Sequence, residues 1–430
     1  MDLCVVGLGK IGLPVAVQAA GSGCRVRGAD ISPEVVRKVN SGQEPFPGEH
    51  DLAPRLHQVV NDGLLSATTD TVEAVAASDA VIIVVPLVVG ESANPDFQAL
   101  DDATRSVATG LKPGALVSYE TTLPVHTTRQ RFAPRLAEIS GLSPGQDLFV
   151  VHSPERVYSG RVFADLRQYP KLVGGLDPAS TRRGVELYEA ILDFDERPDL
   201  PYANGVWEME SAEAAELAKL AETTYRNVNI GLANEFAVFS EHNGIDLHGV
   251  IEASNSQPYS AIHQPGVSVG GHCIPVYPKF YLANDPTATL PAAAIVVNEA
   301  MPSHALDVVV EHTGGVSGDR IVVLGATYRG GVRELAFSGV GPLVAEITSR
   351  GATALVHDPM FSHDELTECG YQVYELGQPC DIAILQADHK EYLSLSPADL
   401  PGVRLVYDGR SFLSDDQWSE TTLIKIGRGT

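Results

Sequence analysis

The chain has 430 residues, 44% of them hydrophobic, and a formal net charge of −25 at pH 7. This length predicts two or three domains, and the acidity argues against nucleic acids or anionic membranes as partners. Because the chain has no run of about 18 apolar residues and starts with a strand-like segment, we expect neither a membrane span nor a signal peptide. Its five cysteines are scattered and odd in number, which favours a reducing cytoplasm over a disulfide framework.

The first part of the chain alternates short apolar runs with helical segments. Strands are predicted at 2–6, 25–29, 80–85, 115–118 and 148–151, with an alanine-rich helix after the first strand. This alternation is typical of a parallel, doubly wound α/β sheet. We assign residues 1–195 to this first domain.

Residues 211–242 predict one long helix, because they contain no proline and no glycine except Gly231. At about 1.5 Å per residue the helix would extend roughly 45 Å, which suits a connector between two lobes. Its start is not marked by a capping box, since Ala214 stands three residues after Ser211. We assign residues 196–302 to a helical connecting region.

A second α/β pattern begins near Asp319. Strands are predicted at 320–325, 352–357, 381–386 and 404–407, with a helix at 341–349. This region, residues 303–430, contains no GxGxxG motif. The predicted fold is therefore α/β, with two Rossmann-like doubly wound domains joined by a long central helix.

A dinucleotide fingerprint follows the first strand and consists of Gly7-Leu8-Gly9-Lys10-Ile11-Gly12. The first glycine permits a tight turn, the second lets the pyrophosphate approach, and the third allows contact between helix and strand. Asp30 ends the second strand 18 residues after Gly12, where a carboxylate binds a ribose 2′-hydroxyl and repels a 2′-phosphate. The pattern predicts NAD rather than NADP. The alternative is a glycine-rich turn that binds no nucleotide.

A second motif, Gly270-Gly271-His272-Cys273-Ile274-Pro275, places one cysteine after two glycines and a histidine. Glycines let backbone or ligand approach closely, and a neighbouring histidine can favour the nucleophilic thiolate. Together with the fingerprint, the loop indicates covalent redox chemistry at Cys273. On residue types alone, a buried structural cysteine on a turn is the alternative.

Further motifs stand in a recognisable order: Glu120–Pro124, Ser153–Arg161 (SPERVYSGR), Glu216–Glu235, Pro265–Pro275, Met301-Pro302 and Asp408–Arg410. With the fingerprint, they make nearly the whole chain resemble the UDP-glucose/GDP-mannose dehydrogenase family. The SPERV and GHCIP forms are most similar to the branch that oxidises UDP-N-acetylhexosamines at C6. The resemblance implies NAD as cofactor, a UDP-sugar substrate, and a homodimer or higher oligomer formed through the central helix.

The resemblance implies a four-electron oxidation of the sugar C6 alcohol to a carboxylate, with two NAD. The Cys273 thiolate would trap the aldehyde as a thiohemiacetal, and a second oxidation would give a thioester that water hydrolyses. Lys219 would stabilise the developing oxyanion. Glu155 would handle the proton of the attacking water.

The resemblance also implies contacts to the two ligands. Thr121 and Thr122 are expected to contact the cofactor, and the UDP-sugar is expected to contact Arg156, Gly270, Tyr277, Arg329 and Arg410. An arginine can hold a diphosphate in bidentate fashion. No metal site is expected. The plainer interpretations are a solvated helix lysine, a loop glutamate paired with Arg156 or Arg161, strand-forming threonines and surface arginines.

Four positions depart from the family pattern. Thr223 stands where the family has an asparagine one turn after the lysine, and Tyr277 stands where it has an aspartate. Ala336 and Tyr259 each replace an arginine. Three explanations stay open: a C6 dehydrogenase with compensating residues, an enzyme that performs only part of the reaction or retains its NAD, or a non-catalytic nucleotide-sugar binder. Retention of the cysteine, the lysine and the glutamate argues against the last.

Overall fold

The computed structural model describes residues 1–90 and 94–429, which form two compact units. Unit 1 comprises Met1–Glu222 and Lys279–Asn284, and unit 2 comprises Thr223–Pro278 and Asp285–Thr430. Each unit contains a twisted sheet flanked by helices, and the long central helix contributes residues to both. The prediction of two Rossmann-like α/β domains joined by a long helix is confirmed.

Unit 1 is built on a sheet whose strand order is β10-β9-β8-β7-β4-β1-β2-β3. Its strands are β1 (Asp2–Val6), β2 (Arg25–Ala29), β3 (Leu65–Thr68), β4 (Ala80–Ile83), β7 (Ala115–Tyr119), β8 (Leu148–His152), β9 (Lys171–Gly175) and β10 (Val206–Glu208). Two short strands, β5 (Val88–Val89) and β6 (Pro95–Asp96), pair antiparallel in a separate sheet. Residues of β1, β4 and β7 are almost entirely buried, which explains their continuous apolar runs.

Helices cover the sheet of unit 1. They are α1 (Gly12–Gly21), α2 (Pro33–Asn40), α3 (Leu52–Asn61), α4 (Thr71–Ala76), α5 (Gln98–Gly110), α6 (Ala133–Ser140), α7 (Val162–Gln168) and α8 (Pro178–Ile191), with a π-helical turn at Thr128–Phe132. The apolar faces of α1 and α8 pack with β1 and β8 in one hydrophobic core.

The sheet of unit 1 departs from the expected parallel pattern at β9. This strand pairs antiparallel with β8, with Val151 opposite Gly175 and His152 opposite Gly174. Mixed sheets often carry a reversed strand near an edge. The strands predicted at 2–6, 25–29, 80–85, 115–118 and 148–151 are mutually parallel, as expected, and the reversal concerns β9, which was not among them. As a consequence, β9 begins at the edge where β8 ends, so its first residue, Lys171, lies beside the segment that follows β8.

The central helix α9 (Ala212–His242) is 31 residues long and confirms the prediction for 211–242. Ser211 marks its start, because the Ser211 hydroxyl accepts the backbone N–H of Ala214 at 3.2 Å. Its interior contacts α12 closely, since a Cβ on Gly231 would lie 3.1 Å from the Cβ of Ala294.

Unit 2 contains an all-parallel sheet of order β12-β11-β13-β14-β15. Its strands are β11 (Arg320–Leu324), β12 (Thr353–His357), β13 (Ile382–Leu385), β14 (Leu405–Asp408) and β15 (Thr422–Lys425). The helices that follow α9 are α10 (Leu247–Asn255), α11 (Tyr277–Asn284), α12 (Thr289–Thr313), α13 (Val340–Ser349) and α14 (His363–Glu368), with 3₁₀ turns at Lys390–Ser394, Pro397–Asp399 and Asp415–Trp418. The strands predicted here are confirmed within two residues at each end.

Helix α12 is long and apolar enough, by length and composition alone, to cross a membrane. Its buried residues Met301, Ala305, Leu306 and Val309 belong to the hydrophobic core of unit 2. That packing accounts for part of its apolar composition.

Candidate functional site

The three fingerprint glycines lie in the turn from β1 to α1, and each has a different steric environment. Gly7 has a φ of +92°, and a Cβ there would lie 3.0 Å from the carbonyl oxygen of Val84. A Cβ on Gly12 would lie only 1.8 Å from the carbonyl oxygen of Gly7. Apart from Gly9 itself and its two neighbours in the chain, no described residue has an atom within 4 Å of a Cβ on Gly9. The turn is therefore closed on the protein side and open at Gly9, as a bound pyrophosphate requires.

Helix α1 begins at Gly12, with Ile11 as its N-cap and Lys10 exposed in the preceding turn. Within the described residues, no side chain caps its first turn. The positive end of the helix dipole favours a phosphate at this position. These features fit the NAD pyrophosphate.

Asp30 is tied to the same turn. Its Oδ2 accepts the backbone N–H of Leu8 at 2.8 Å, and its Oδ1 accepts the backbone N–H of Ser32 at 2.9 Å. The residue is half-buried, and a carboxylate has acceptor capacity for about four hydrogen bonds. Asp30 is therefore held at the end of β2 and can still accept a hydrogen bond from a ribose hydroxyl.

The two threonines expected at the cofactor follow β7 at the same end of the sheet. The Thr121 hydroxyl donates to the carbonyl oxygen of Val85 at 2.6 Å, and Thr122 is buried. This bond joins the segments that follow β7 and β4. The proposed contact of both threonines with the cofactor stays a prediction.

In unit 2, the turn after β11 resembles the turn after β1, but the acid beside it, Asp358, is buried and paired with a histidine. Asp358 follows β12 and accepts the backbone N–H groups of Ala326 and Thr327 at 2.8 and 3.1 Å, much as Asp30 accepts that of Leu8. In addition, Asp358 is buried and lies 3.1 Å from His389 Nε2. Since this turn also lacks the fingerprint, unit 1 offers the better dinucleotide site.

Glu155 is held by a lysine that the sequence motifs did not single out. Lys171 Nζ lies 2.8 Å from Glu155 Oε2 and 3.1 Å from Glu120 Oε1. Glu155 Oε1 accepts the backbone N–H of Arg156 at 2.7 Å. Burial raises the pKa of Glu155, but the Lys171 ammonium and this N–H outweigh it, so the pKa lies below its ordinary value. Glu155 is therefore ionised at neutral pH.

For Glu120, the effect of burial on the pKa outweighs the effect of the nearby cation. Its Oε1 accepts the Tyr188 hydroxyl at 2.7 Å, and Tyr188 is paired with the Ser118 hydroxyl at 2.7 Å. Complete burial raises the pKa of Glu120 to about 7, in spite of the nearby Lys171 ammonium. Two carboxylates with different proton affinities thus share one buried cation.

The ion pairs suggested as plainer interpretations of the SPERV motif are wrong. Arg156 forms an ion pair with Glu222 on α9, and its Nη1 donates to the carbonyl oxygen of Pro170 at 3.0 Å. Arg161 pairs with Asp165 at 2.6 Å. Neither arginine side chain neutralises Glu155. A role of Arg156 at the UDP-sugar stays a prediction.

Lys219 is not the solvated helix lysine of the plainer interpretation, because only 4% of it is exposed. Thr223 lies one turn further along α9 and is also buried. One turn before Lys219, Glu216 accepts the backbone N–H groups of His126 and Thr128 at 2.7 and 2.8 Å. These bonds attach this part of α9 to the loop that follows β7.

In unit 2, the cysteine loop runs into the start of α11. The carbonyl oxygen of Cys273 accepts the backbone N–H groups of Tyr277 at 2.9 Å and Val276 at 3.3 Å. Cys273 itself is half-buried and has a free thiol. It is thus not the fully buried structural cysteine of the alternative interpretation. Tyr277 occupies the first residue of α11, where the family pattern has an aspartate.

The glycines before Cys273 pack against the loop that follows β11. A Cβ on Gly270 would lie 2.6 Å from the Cβ of Tyr328 and 2.8 Å from the carbonyl oxygen of Phe337. Gly271 has a φ of +86° and donates its N–H to the carbonyl oxygen of Ala336 at 3.1 Å. Only glycines fit this close approach without displacing the loop.

Two arginines predicted at the UDP-sugar follow β11 and β14 at the carboxyl edge of the sheet of unit 2, and both contact Tyr328. Arg329 Nε donates to the Tyr328 hydroxyl at 3.1 Å, and Arg410 Nη2 donates to its carbonyl oxygen at 3.2 Å. Arg410 Nε also donates to the carbonyl oxygen of Gln386 at 2.7 Å. This edge is the usual ligand-binding edge of a parallel sheet. Tyr259, by contrast, is 94% exposed.

Three asparagines form a hydrogen-bonded ladder that the sequence motifs did not predict. Asn227 Nδ2 donates to the carbonyl oxygen of Ile274 at 3.2 Å, and Asn298 Nδ2 donates to the carbonyl oxygen of Asn227 at 3.0 Å. Asn234 Nδ2 donates to Asn298 Oδ1 at 2.8 Å, while its own Oδ1 accepts the N–H of Gly266 at 2.9 Å. The ladder anchors both ends of the cysteine loop to α9. The seven-residue spacing of Asn227 and Asn234 was its only sequence signal.

Three family models match the chain in order. They are the UDP-glucose/GDP-mannose dehydrogenase family NAD binding domain over residues 1–192, its central domain over 213–301 and its UDP binding domain over 322–415. Together they match well over half of the chain.

Known proteins align along almost the whole chain. The UDP-N-acetyl-D-mannosamine dehydrogenase of Pyrococcus horikoshii is 33% identical over 425 residues, covering 96% of both chains. The NDP-N-acetyl-D-galactosaminuronic acid dehydrogenase of Ralstonia nicotianae is 32% identical over 426 residues, also covering 96% of both. The solved structure from Pyrococcus horikoshii covers 100% of both chains with a TM-score of 0.89.

The UDP-N-acetyl-mannosamine dehydrogenase of Staphylococcus aureus has a similar structure. It matches with a TM-score of 0.85 and 28% identity, covering 100% of this chain and 99% of that chain. These similarities extend through both units of the chain. The chain therefore belongs to the UDP-glucose/GDP-mannose dehydrogenase family and is an NAD-dependent dehydrogenase.

Proposed function

We propose that this protein oxidises a UDP-N-acetylhexosamine at C6 from alcohol to carboxylate, with UDP-N-acetylmannosamine as the first candidate. The observation that carries the proposal is the 33% identity over 96% of the chain to a relative named UDP-N-acetyl-D-mannosamine dehydrogenase. The SPERV and GHCIP motifs support the same branch of the family. The retained Cys273, Lys219 and Glu155 support a complete catalytic reaction.

Cys273 is the covalent nucleophile in this proposal. Bound NAD supplies a hydride acceptor for each of the two oxidations. The Cys273 thiolate attacks the C6 aldehyde carbon, which forms a C–S bond and leaves negative charge on the former carbonyl oxygen. The buried Lys219 ammonium stabilises this oxyanion, and the Thr223 hydroxyl supplies a further hydrogen bond.

Glu155 serves the hydrolytic step. Its carboxylate takes a proton from water while the water oxygen attacks the thioester carbon, and the Cys273 thiolate then leaves. The depressed pKa of Glu155 keeps the group in the form that accepts a proton. On the substrate side, we propose that Gly270, Tyr277 and Arg156 contact the UDP-sugar and that Arg329 and Arg410 recognise its diphosphate.

A panel of nucleotide sugars tests this proposal. NAD reduction would be followed with UDP-N-acetylmannosamine, UDP-N-acetylglucosamine, UDP-N-acetylgalactosamine and UDP-glucose, and the product identified by mass spectrometry. We expect the highest kcat/KM for an N-acetylated substrate and a carboxylate product. Turnover that stops at the aldehyde would favour the partial reaction. Binding of NAD and UDP-sugar without turnover of any substrate would favour the non-catalytic binder.

We further propose a homodimer formed through α9, within the connecting and dimerisation region 196–302. Aromatic and aliphatic side chains are exposed on its later turns: Tyr225 (53%), Leu232 (42%), Phe236 (38%) and Phe239 (60%). Their spacing of seven, four and three residues is typical of one helix face that packs against another helix. An exposed apolar face of this kind on a long helix supports contact with a second copy.

Light scattering on the double variant Phe236→Glu/Phe239→Glu tests the dimer. We expect the mass to fall from twice to once that of the chain, while Leu393→Glu, which changes an exposed leucine elsewhere, leaves it unchanged. A dimeric mass in the double variant would exclude this interface.

We also propose a cytoplasmic location, because the half-buried Cys273 thiol must stay reduced to act as a nucleophile.

A further inference from the structure

A buried polar cluster lies behind Glu155, and the mechanism above leaves most of it unused. Three segments meet there: Glu120 follows β7, Glu155 follows β8, and Lys171 begins the reversed strand β9. Glu120 is 1% exposed and Lys171 is 4% exposed. A buried ammonium shared by two carboxylates is costly to desolvate, so its presence beside the proposed base points to a function.

The charges in this cluster do not balance when both carboxylates are ionised. The cluster would then hold two negative charges and one positive charge in a dry environment. Tyr188 adds a hydroxyl donor to Glu120, and Lys171 Nζ lies 4.7 Å from the centre of the Tyr188 ring. Among the described residues, Glu120 Oε2 has no hydrogen-bond partner. Protonation of Glu120 would restore neutrality.

Other groups face the cluster from the elements packed around it. His152 at the end of β8 is fully buried, and burial lowers its pKa to about 3, so it adds no positive charge at neutral pH. Ser118 on β7 pairs with Tyr188 on α8, and Lys219 on α9 favours the ionised form of Glu155. Lys171 is thus the cation in direct contact with both carboxylates.

We propose that Lys171 is a positioning residue for Glu155 and that Glu120 receives the proton that Glu155 takes from water. This proposal rests on the proposed function. The water O–H bond breaks and its proton moves to Glu155. Lys171 then gives one N–H proton to Glu120 and accepts the proton from Glu155. Glu155 is again a carboxylate, Lys171 is again an ammonium, Glu120 is a neutral acid, and no electrons change hands.

The distances and proton affinities support this direction of transfer. The Lys171 ammonium is within hydrogen-bond distance of both carboxylates, at 2.8 and 3.1 Å. The pKa of Glu120, about 7, is above that of Glu155, so the proton is more stable on Glu120. Oxidation of an alcohol to a carboxylate releases protons, and a buried acceptor clears Glu155 before the next turnover.

The first test is the pH dependence of kcat in the full-length enzyme. Lys171→Met removes the cation beside Glu155, so we expect the acidic limb of the profile to move upward by about one pH unit or more. Lys171→Arg should largely restore the wild-type limb. Lys112→Met, which removes a surface lysine paired with Asp79, should leave it unchanged. A uniform loss of kcat in Lys171→Met without any shift of the limb would overturn the proposal.

The second test needs no substrate. Infrared difference spectra of the resting enzyme across pH would report protonation of buried carboxyl groups. Burial raises the pKa of Glu216 to about 7 as well, so we expect two carboxyl titrations near pH 7. One of them should disappear in Glu120→Gln and should move to lower pH in Glu155→Gln, because Lys171 then serves one carboxylate. Glu189→Gln, on the exposed face of α8, is the matched control. A carboxyl titration of undiminished amplitude in Glu120→Gln would overturn the proposal even if no UDP-sugar is turned over.

Discussion

Leu8 donates its backbone N–H to Asp30 Oδ2 at 2.8 Å, which ties the acid at the end of β2 to the glycine-rich turn. The bond fixes the carboxylate beside the expected adenosine ribose of NAD. The same geometry recurs in unit 2, where Asp358 accepts the N–H of Ala326 at 2.8 Å, but there the acid is buried. Exposure of the acid therefore distinguishes the two Rossmann-like domains.

Asp30→Ala should weaken NAD binding by about tenfold or more, because hydrogen bonds between a carboxylate and a ribose hydroxyl contribute roughly 1.5–3 kcal/mol. Binding of NADP should weaken less or improve, because the repulsion of its 2′-phosphate is removed. Calorimetric titration with both dinucleotides measures the difference. An equal loss for NAD and NADP would mean that the substitution only disturbs the turn.

Gly9→Ala and Gly12→Ala form a matched pair of substitutions in the same turn. A Cβ on Gly12 would lie 1.8 Å from the Gly7 carbonyl oxygen, so we expect Gly12→Ala to lower the free energy of unfolding by about 3 kcal/mol. A Cβ on Gly9 meets no described residue within 4 Å other than its neighbours in the chain, so Gly9→Ala should fold like the wild type and lose NAD affinity. Denaturant unfolding and NAD titration measure both. Undiminished NAD affinity in Gly9→Ala would place the pyrophosphate elsewhere.

Cys273→Ser should leave NAD and UDP-sugar affinity close to wild type but abolish formation of the carboxylate. The hydroxyl of serine is a far weaker nucleophile than a thiolate at neutral pH, so the aldehyde is not trapped. Quenched-flow mass spectrometry would detect the Cys273 adduct in the wild type. Cys369→Ser, at an exposed cysteine, is the control and should keep full activity. Normal acid formation in Cys273→Ser would refute the covalent route.

His152 should make the folded protein sensitive to acid. Burial lowers its pKa from the ordinary 6.5 to about 3, so the unfolded chain binds more protons than the folded chain between these values. The His152 contribution is complete above about pH 6.5 and is lost as the pH falls to about 3, by up to about 5 kcal/mol. In His152→Gln, the free energy of unfolding should decline less steeply with acid. An unchanged slope would contradict the burial of a neutral imidazole.

Local patterns predicted much of the fold and part of the site. The glycine fingerprint and Asp30 lie in adjacent turns, and the absence of helix breakers in 211–242 predicted α9, so each could be inferred from short segments. The reversed pairing of β9 could not, because strand direction depends on packing across the sheet. The full length of α12 could not be inferred either, because Pro302 lies inside this helix and a proline ordinarily disrupts one.

The contacts that support the site join distant segments, and local patterns do not report them. Lys171 pairs with Glu155 across the connection from β8 to β9, which includes α7, and with Glu120 from a third segment. Asn298 contacts Asn227 across 71 residues of sequence. The family resemblance identified the motif residues themselves, but not the partners that orient them and shift their pKa values.

The stoichiometry of NAD reduction tests the central claim most directly. A limiting amount of UDP-N-acetylmannosamine would be consumed to completion with excess NAD, and NADH and the sugar product would be quantified together. Oxidation to the carboxylate predicts two NADH per UDP-sugar, with no free aldehyde. One NADH per UDP-sugar together with an aldehyde product would contradict the account.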